Sequence, residues 1–312
     1  MHVYEIINLT KRYPGQTVPA NDDLTFTVER GEVFGLLGAN GAGKTTLVKQ
    51  MANLLSPTQG TIRLLGKPLT SEPLYAARHV GYMPQQGEAL NTLTVGETLY
   101  FTAHLRGMLR RPALAERDRL IARLGMEAIR RRPVNKLSGG QKRLVLLATA
   151  MAAQPPVLIL DEPSNDLDPQ YRRLVWDEVQ ALNRQHGTTV ILVTHNLLEA
   201  ERVVGRVGIM WHGRLLATGR PGQLKGALKQ QLNLDLMFAP EHPPSLPNGA
   251  TPREVAPGHW HLLIDQEAAP AYLAAIVRDP SVEDFHLSTA TLEDLYLALA
   301  AAPQQPEPPA QE

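Results

Sequence analysis

The chain has 312 residues, 43% apolar and 20% charged, with no cysteine. These are the proportions of a globular protein, and the absence of cysteine excludes a disulfide framework or a thiolate metal site. No stretch approaches the ~18 uninterrupted apolar residues of a membrane-spanning helix. The opening MHVYEIINLTKRY lacks the apolar core of a signal peptide, so a cytosolic or peripheral location is expected.

The net charge of zero hides an asymmetry. Residues 1–221 carry 27 basic and 19 acidic side chains, and residues 222–312 carry 4 and 12. Such a split suggests two units with different surroundings. Residues 106–143 hold 12 basic and 3 acidic side chains. They read either as a solvated helical surface or as a face turned to anionic lipid, a membrane protein or nucleic acid.

In chain order, 33–37 (VFGLL) reads as a buried strand ending in glycines, and 44–54 as the helix after it. Segments 61–65 and 80–83 read as strands. Segments 95–106, 113–124 and 140–152 read as helices. Segment 157–160 is wholly apolar and 189–193 is apolar but for Thr189, which belongs to a parallel sheet covered by helices on both faces. Segments 206–211 and 214–218 flank His212-Gly213 as a hairpin. Composition changes at Pro221-Gly222. Beyond it, strands at 232–238 and 260–264 are separated by a Pro-rich loop over 239–257. A helix at 268–277 and a short strand at 285–287 come next. Thr291 and Asp294 form a capping box for a last helix. Residues 222–302 thus read as a small α+β domain. The tail 303–312, rich in Pro, Gln and Glu, is expected to be disordered.

Three motifs carry chemistry. GANGAGKTT places Gly38, Ala39, Asn40, Gly41, Ala42, Gly43, Lys44, Thr45 and Thr46 between a strand and a helix. Its glycines let backbone N–H groups turn inward onto phosphate oxygens, and the helix N-terminus adds partial positive charge. Lys44 would reach the β and γ phosphates, Thr45 would bind magnesium, and Thr46 would lie near the α phosphate. In VLILDE, Asp161 at a strand's end would hold magnesium, and Glu162 would polarise a water aimed at the γ phosphate. In LSGGQ, Ser138 and the Gly139 and Gly140 amides open a helix and form a second anion site.

These residues resemble the ATP-binding cassette (ABC) ATPases, and the likeness spans about residues 3–219. LSGGQ, Leu137 to Gln141, is that family's signature. Ser138 stands 94 residues after Lys44 and 23 before Asp161. The resemblance implies an α/β P-loop NTPase core with N-terminal antiparallel β strands and a helical subdomain at about 90–150. Residues 1–221 would form the ATP-binding domain and 222–302 an accessory or regulatory domain. It also implies that Ser138, Gly139, Gly140 and Gln141 contact ATP held by an opposite subunit, so that a homodimer or pseudo-homodimer, head to tail, completes two sites. Gln85, with Gln86 as an adjacent competitor, resembles the glutamine that contacts magnesium and the water. His195 resembles the histidine that bonds the γ phosphate. Asp168 resembles the aspartate that couples the two sites, and Tyr13 the aromatic on adenine. Asp166 departs from the glycine often found there.

The segment 289–300 (TATLEDLYLALA) is similar to the C-terminal helix of drug-resistance-type ABC exporter ATPases, and 90–108 to their segment leading into the helical subdomain. That likeness implies an ATPase on the cytoplasmic face of the membrane, driving a separate permease, with ATP and Mg2+ as cofactors and no nucleic acid partner. The alternative is a soluble ABC protein acting on the ribosome. Its support is SNDLDP and the basic segment. Against it stand a single phosphate loop and no long charged linker.

Overall fold

The computed structural model describes all residues except 73, 88–90, 166, 229–230, 248–250 and 302–312, and only the backbone of 198, 199, 227, 228, 298, 300 and 301. The expected tail and Asp166 fall outside the described residues. The chain divides into two compact units, Met1–Arg220 and Pro221–Glu312.

The first unit begins with strands β1 (His2–Lys11) and β2 (Asn21–Glu29), then β3 (Val33–Leu37) and helix α1 (Lys44–Met51). Next come strands β4 (Gln59–Leu64) and β5 (Lys67–Pro68), helix α2 (Tyr75–His79) and strand β6 (Val80–Met83). A helical stretch contains α3 (Val95–Leu105), α4 (Arg110–Arg123) and α5 (Gly139–Met151). The unit ends with β7 (Val157–Asp161), α6 (Pro169–His186), β8 (Thr189–Thr194), α7 (Leu197–Glu201), β9 (Arg206–Trp211) and β10 (Arg214–Gly219).

An antiparallel sheet, in the order β2-β1-β4-β5, carries the alternation of a half-buried surface. Leu24, Phe26 and Val28 of β2 face the core while Thr25 faces solvent. The central sheet runs β10-β9-β3-β8-β7-β6, and all its pairings are parallel except β9 with β10. Every residue of β3, β7 and β8 is buried, as strands covered on both faces require. Each fully buried Leu, Ile or Val there contributes about 1.5–3 kcal/mol.

The longest helix, α6, was not among the sequence expectations, although its signals are local. Asp168 caps it by accepting from the Gln170 and Tyr171 N–H groups at 3.1 and 3.0 Å. Pro169 occupies its first turn, and Gly187 ends it in a left-handed conformation, φ 64°. Val175, Val179 and Leu182 form its buried stripe.

The second unit opens with α8 (Pro221–Leu224) and a short 3-10 turn. Its strands β11 (Gln231–Phe238), β12 (Arg253–Ala256), β13 (His259–Asp265) and β14 (Val282–Thr289) pair antiparallel in the order β12-β13-β11-β14. Helix α9 (Ala269–Ile276) lies between β13 and β14 in sequence, and α10 (Leu292–Ala301) comes after β14. Leu234, Leu236, Phe238, Leu262 and Ile264 pack with Tyr272 and Ile276 as one core. Two expectations are corrected. β12 lies inside the stretch expected to be loop, because its exposed Arg-Glu-Val-Ala has no buried alternation to reveal it. β14 has 8 residues rather than three, since its outward side chains mask the pattern. The capping box is formed: the Thr291 N–H donates to Asp294 Oδ2 at 2.6 Å, and the Asp294 N–H to Thr291 Oγ1 at 3.2 Å. Burial alone would raise the Asp294 pKa, but these bonds and one from Asn233 outweigh it and hold the carboxyl below its ordinary value.

In the first unit Arg106, just past α3, donates through Nη1 to the carbonyls of Thr149, Ala150 and Ala152 at 3.0, 2.8 and 2.6 Å. It closes the C-terminal end of α5, whose last carbonyls lack partners within the helix. Burial brings its guanidinium down to about 10, so it stays charged at neutral pH. Arg106→Ala is expected to cost about 1–3 kcal/mol, because it leaves those carbonyls unsatisfied. Urea unfolding of the full chain measures this; a loss below about 0.5 kcal/mol would assign the carbonyls to water instead.

Candidate functional site

The phosphate-loop candidates lie at the carboxyl end of β3. Gly43 has φ 96° and a Cβ there would come within 2.2 Å of the Ala20 carbonyl oxygen; Gly38 has φ 152° and would meet the Met210 carbonyl at 2.3 Å. Both positions therefore demand glycine. Gly43 leads into α1 with no side-chain cap, so the first N–H groups of α1 have no side-chain oxygen over them. The Lys44 ammonium is buried and donates to the Gly38 and Ala39 carbonyls at 2.7 and 2.9 Å. Burial lowers its pKa, against the opposing pull of Glu162 and Asp161. The Tyr13 hydroxyl lies 3.4 Å from Thr46 Oγ1, which places the tyrosine beside the loop.

A residue that the sequence reading missed supports this loop. Asn21, fully buried at the start of β2, donates to the Gly43 carbonyl at 3.0 Å and accepts from Gln50 Nε2 at 2.7 Å. It ties β2 to both ends of α1. No local motif marks it; only tertiary packing brings residues 21, 43 and 50 together.

The two carboxylates sit at the end of β7. Asp161 is buried, and neither carboxylate oxygen makes a hydrogen bond of normal geometry, although the nearby Thr45 hydroxyl stabilises its charge. Burial raises its pKa most strongly, helped by Glu162 and opposed by Thr45, Lys44 and Arg143. A buried carboxylate with unused lone pairs, beside a threonine hydroxyl, is a fitting oxygen donor set for a magnesium ion. Glu162 has φ 52°, an uncommon left-handed conformation for this residue type. Its carboxylate accepts from Thr194 Oγ1 at 3.1 Å and the His195 N–H at 3.0 Å, and lies 2.9 Å from His195 Nδ1.

A cavity of about 350 Å³ brings together Asn40, Gly41, Ala42, Gly43, Lys44, Thr45, Thr46, Gln85, Asp161 and Glu162. Gln86 does not line it, which distinguishes the two adjacent glutamines. His195 joins the cavity through Glu162 and is itself about half exposed. Ser138, Gly139, Gly140 and Gln141 do not line it. Ser138 instead caps α5 at the surface: Ser138 Oγ accepts from the Gln141 N–H at 3.3 Å, and Gln141 Oε1 accepts from the Ser138 N–H at 3.2 Å. Asp168 serves as the N-cap of α6.

Four of the 12 basic side chains in segment 106–143 form ion pairs. Arg117 and Arg130 pair with Asp118, Arg119 pairs with Glu116, and Arg123 pairs with Glu178. Arg106 and Arg143 are directed at backbone carbonyls, and Arg132 at the Lys136 carbonyl. Arg110, Arg111, Arg131, Arg132 and Lys136 are exposed, so the segment is a helical surface that is paired in part and still cationic. Among the described residues no helix is long and apolar enough to cross a membrane.

Residues 21–165 match the family model described as ABC transporter. The daunorubicin/doxorubicin resistance ATP-binding protein DrrA of Streptomyces peucetius is 33% identical over 315 residues, 96% of this chain and 92% of that protein. The Nod factor export ATP-binding protein I of Burkholderia orbicola is 34% identical over 307 residues, 96% and 97% of the two chains. Three mammalian relatives are far longer, and this chain spans only 14% of their length. Among solved structures, the ATP-binding subunit of an ABC transporter superposes with a TM-score of 0.66 at 30% identity, covering 72% of this chain and 93% of that one.

The raised pKa of Asp161 means that the folded chain holds its proton more tightly than the unfolded chain, so ionisation costs stability as pH rises through the folded value. Asp161→Asn is expected to raise the melting temperature of the nucleotide-free protein at neutral pH, by about 2–4 °C for each kcal/mol relieved. The same change should abolish the effect of Mg2+ on nucleotide affinity. Calorimetry with and without Mg2+ tests both; a lower melting temperature would show that the ionised carboxylate stabilises the fold.

Proposed function

The chain belongs to the ABC transporter family and has the fold of its ATPase cassettes, and we propose that it is the ATP-hydrolysing motor subunit of an exporter. The observation that carries this reading is the 350 Å³ cavity, where a glycine cradle, a buried lysine, two carboxylates and Gln85 converge. The loop from Gly38 to Thr46 binds the phosphates through backbone N–H groups and Lys44, with Tyr13 beside the adenine. Thr45, Asp161 and Gln85 would hold Mg2+, which supplies charge neutralisation at the β and γ phosphates when bound.

Glu162 acts as general base. Its two hydrogen-bonded contacts to the end of β8 fix the carboxylate before substrate arrives, so that little reorganisation remains for the reaction. His195, held by the same carboxylate, keeps its other ring nitrogen, Nε2, for the γ phosphate. Ser138, Gly139, Gly140 and Gln141 lie outside the cavity at the tip of α5, which supports their use against ATP held by another subunit. Two copies, or this chain and a relative, then close head to tail, with Asp168 near the junction. The export direction is supported by the names of the resistance and export relatives. A separate membrane permease and a peripheral place on the membrane's cytoplasmic face belong to the same reading. The second unit is an accessory or regulatory domain.

Glu162→Gln should leave ATP affinity within about twofold, lower turnover by about 100-fold or more, and accumulate an ATP-bound dimer. Phosphate release and light scattering read these outcomes, and near-normal turnover would remove Glu162 from the role of base. Ser138→Ala should reduce kcat by about tenfold or more while single-subunit nucleotide binding holds. Loss of both together would count against a site shared between subunits.

A further inference from the structure

Arg143 lies one turn inside α5, is 8% exposed, and donates to two backbone carbonyls: Nη1 to that of Gln85 and Nη2 to that of Glu162. These acceptors are 77 residues apart in sequence and come after two neighbouring strands, β6 and β7. A cleft of about 400 Å³, lined by Gln85, Gly87, Gly139, Arg143 and Leu146 among others, lies between α5 and the Gln85 segment. The guanidinium spans from the helix to both catalytic segments. Its rigid planar fork can reach two acceptors at once, which a lysine ammonium on a flexible stem does not reproduce.

We infer that Arg143 is a positioning residue that sets the backbone at Gln85 and Glu162 for hydrolysis and ties both to the signature helix of the same subunit. The inference rests on the proposed roles of Glu162 and Gln85 in hydrolysis. Three features support it. Glu162 sits at φ 52°, so its backbone requires outside constraint to stay there. Its own side chain is fixed by Thr194 and His195 at the end of β8, so the Arg143 bond fixes the other end of the residue. The Gln85 segment leaves the sheet after Met83, and Arg143 holds it by its main chain, leaving the Gln85 side chain free to face the cavity. The consequence is mechanical. Ser138, at the start of α5, would engage ATP held by the other subunit, while Arg143, five residues on, grips the catalytic segments of its own site. A shift of α5 on engagement is thereby passed to the second site through one side chain.

The test uses the full chain with Arg143→Met, Arg143→Lys and the Glu162→Gln control, measuring ATP affinity by fluorescent-nucleotide titration and kcat at saturating ATP. Arg143→Met should leave the ATP Kd within about twofold while kcat falls by more than about fivefold, since misplacement of catalytic groups costs rate and not binding. Arg143→Lys, retaining the charge and one bond, should recover part of that loss. A kcat loss below about fivefold for Arg143→Met overturns the inference, as does a parallel loss of affinity, which would mark a general packing role. Should the methionine variant fail to fold, the lysine variant decides on the same two readings. Retained turnover in Glu162→Gln would instead refute the base assignment, whatever the arginine variants show.

Discussion

Parallel pairing in fixed register is the constraint on which the site depends. β7 pairs with β8 so that Asp161 stands opposite Val193, and β8 pairs with β3 so that Thr194 stands opposite Leu37. β6 pairs with β7 so that Met83 stands opposite Leu160. The four strands therefore end along one edge, and the segments that leave them meet there: the glycine loop, Gln85, Glu162 and His195. In parallel α/β sheets the carboxyl edge is where ligands bind. A slip of one residue in β7 would turn Asp161 to the opposite face of the sheet. The burial of β3, β7 and β8 on both faces supplies the stability that holds these strand ends together.

That edge concentrates groups whose burial is unfavourable. Lys44, Asp161, Glu162 and Arg143 are all buried within one small region. Two cations and two carboxylates come close to balance, yet the balance is imperfect. Lys44 is pulled toward its neutral form and Asp161 toward its protonated form, each because burial outweighs its neighbours. Asp161 also keeps unused hydrogen-bonding capacity. A polyanion with a divalent cation would relieve both, the phosphates favouring charged lysine and the metal favouring ionised aspartate. The positive φ of Glu162 adds backbone strain at the same point. Stability given up in the empty protein becomes binding and positioning in the loaded one.

Much of this was legible in the sequence because it is local. The glycine loop, the strand with two carboxylates and the LSGGQ helix start each need particular residues at fixed short spacing, and each stands at the strand or helix end expected of it. Unmarked residues were harder. Asn21 looks like any asparagine near a strand, and Arg143 looks like one more charge in a basic segment. Their partners lie 22 and 58 residues away in sequence, so only the folded chain assigns them. The basic segment shows the same limit from the other side. A count of charges records Arg117, Arg119, Arg123 and Arg130 as an open surface, whereas the fold supplies Asp118, Glu116 and Glu178 as partners. Helix α6 and strand β12 differ again. α6 carried full start and stop signals, while β12 carried none.

Helix α5 unites these observations. Its 13 residues span about 20 Å at the usual rise per residue. Its first turn is closed by the Ser138–Gln141 capping box, in which the Ser138 hydroxyl oxygen accepts from the Gln141 N–H. Its body is joined by Arg143 to Gln85 and Glu162. Its last turn is closed by Arg106, just beyond α3. A helix held at its end and middle by charged hydrogen bonds moves as a unit, because bending it would break bonds between buried groups. A displacement of its tip would therefore strain the segment that carries Glu162. In the proposed reading, the two half-sites on one chain would be joined by this single element rather than by a diffuse path.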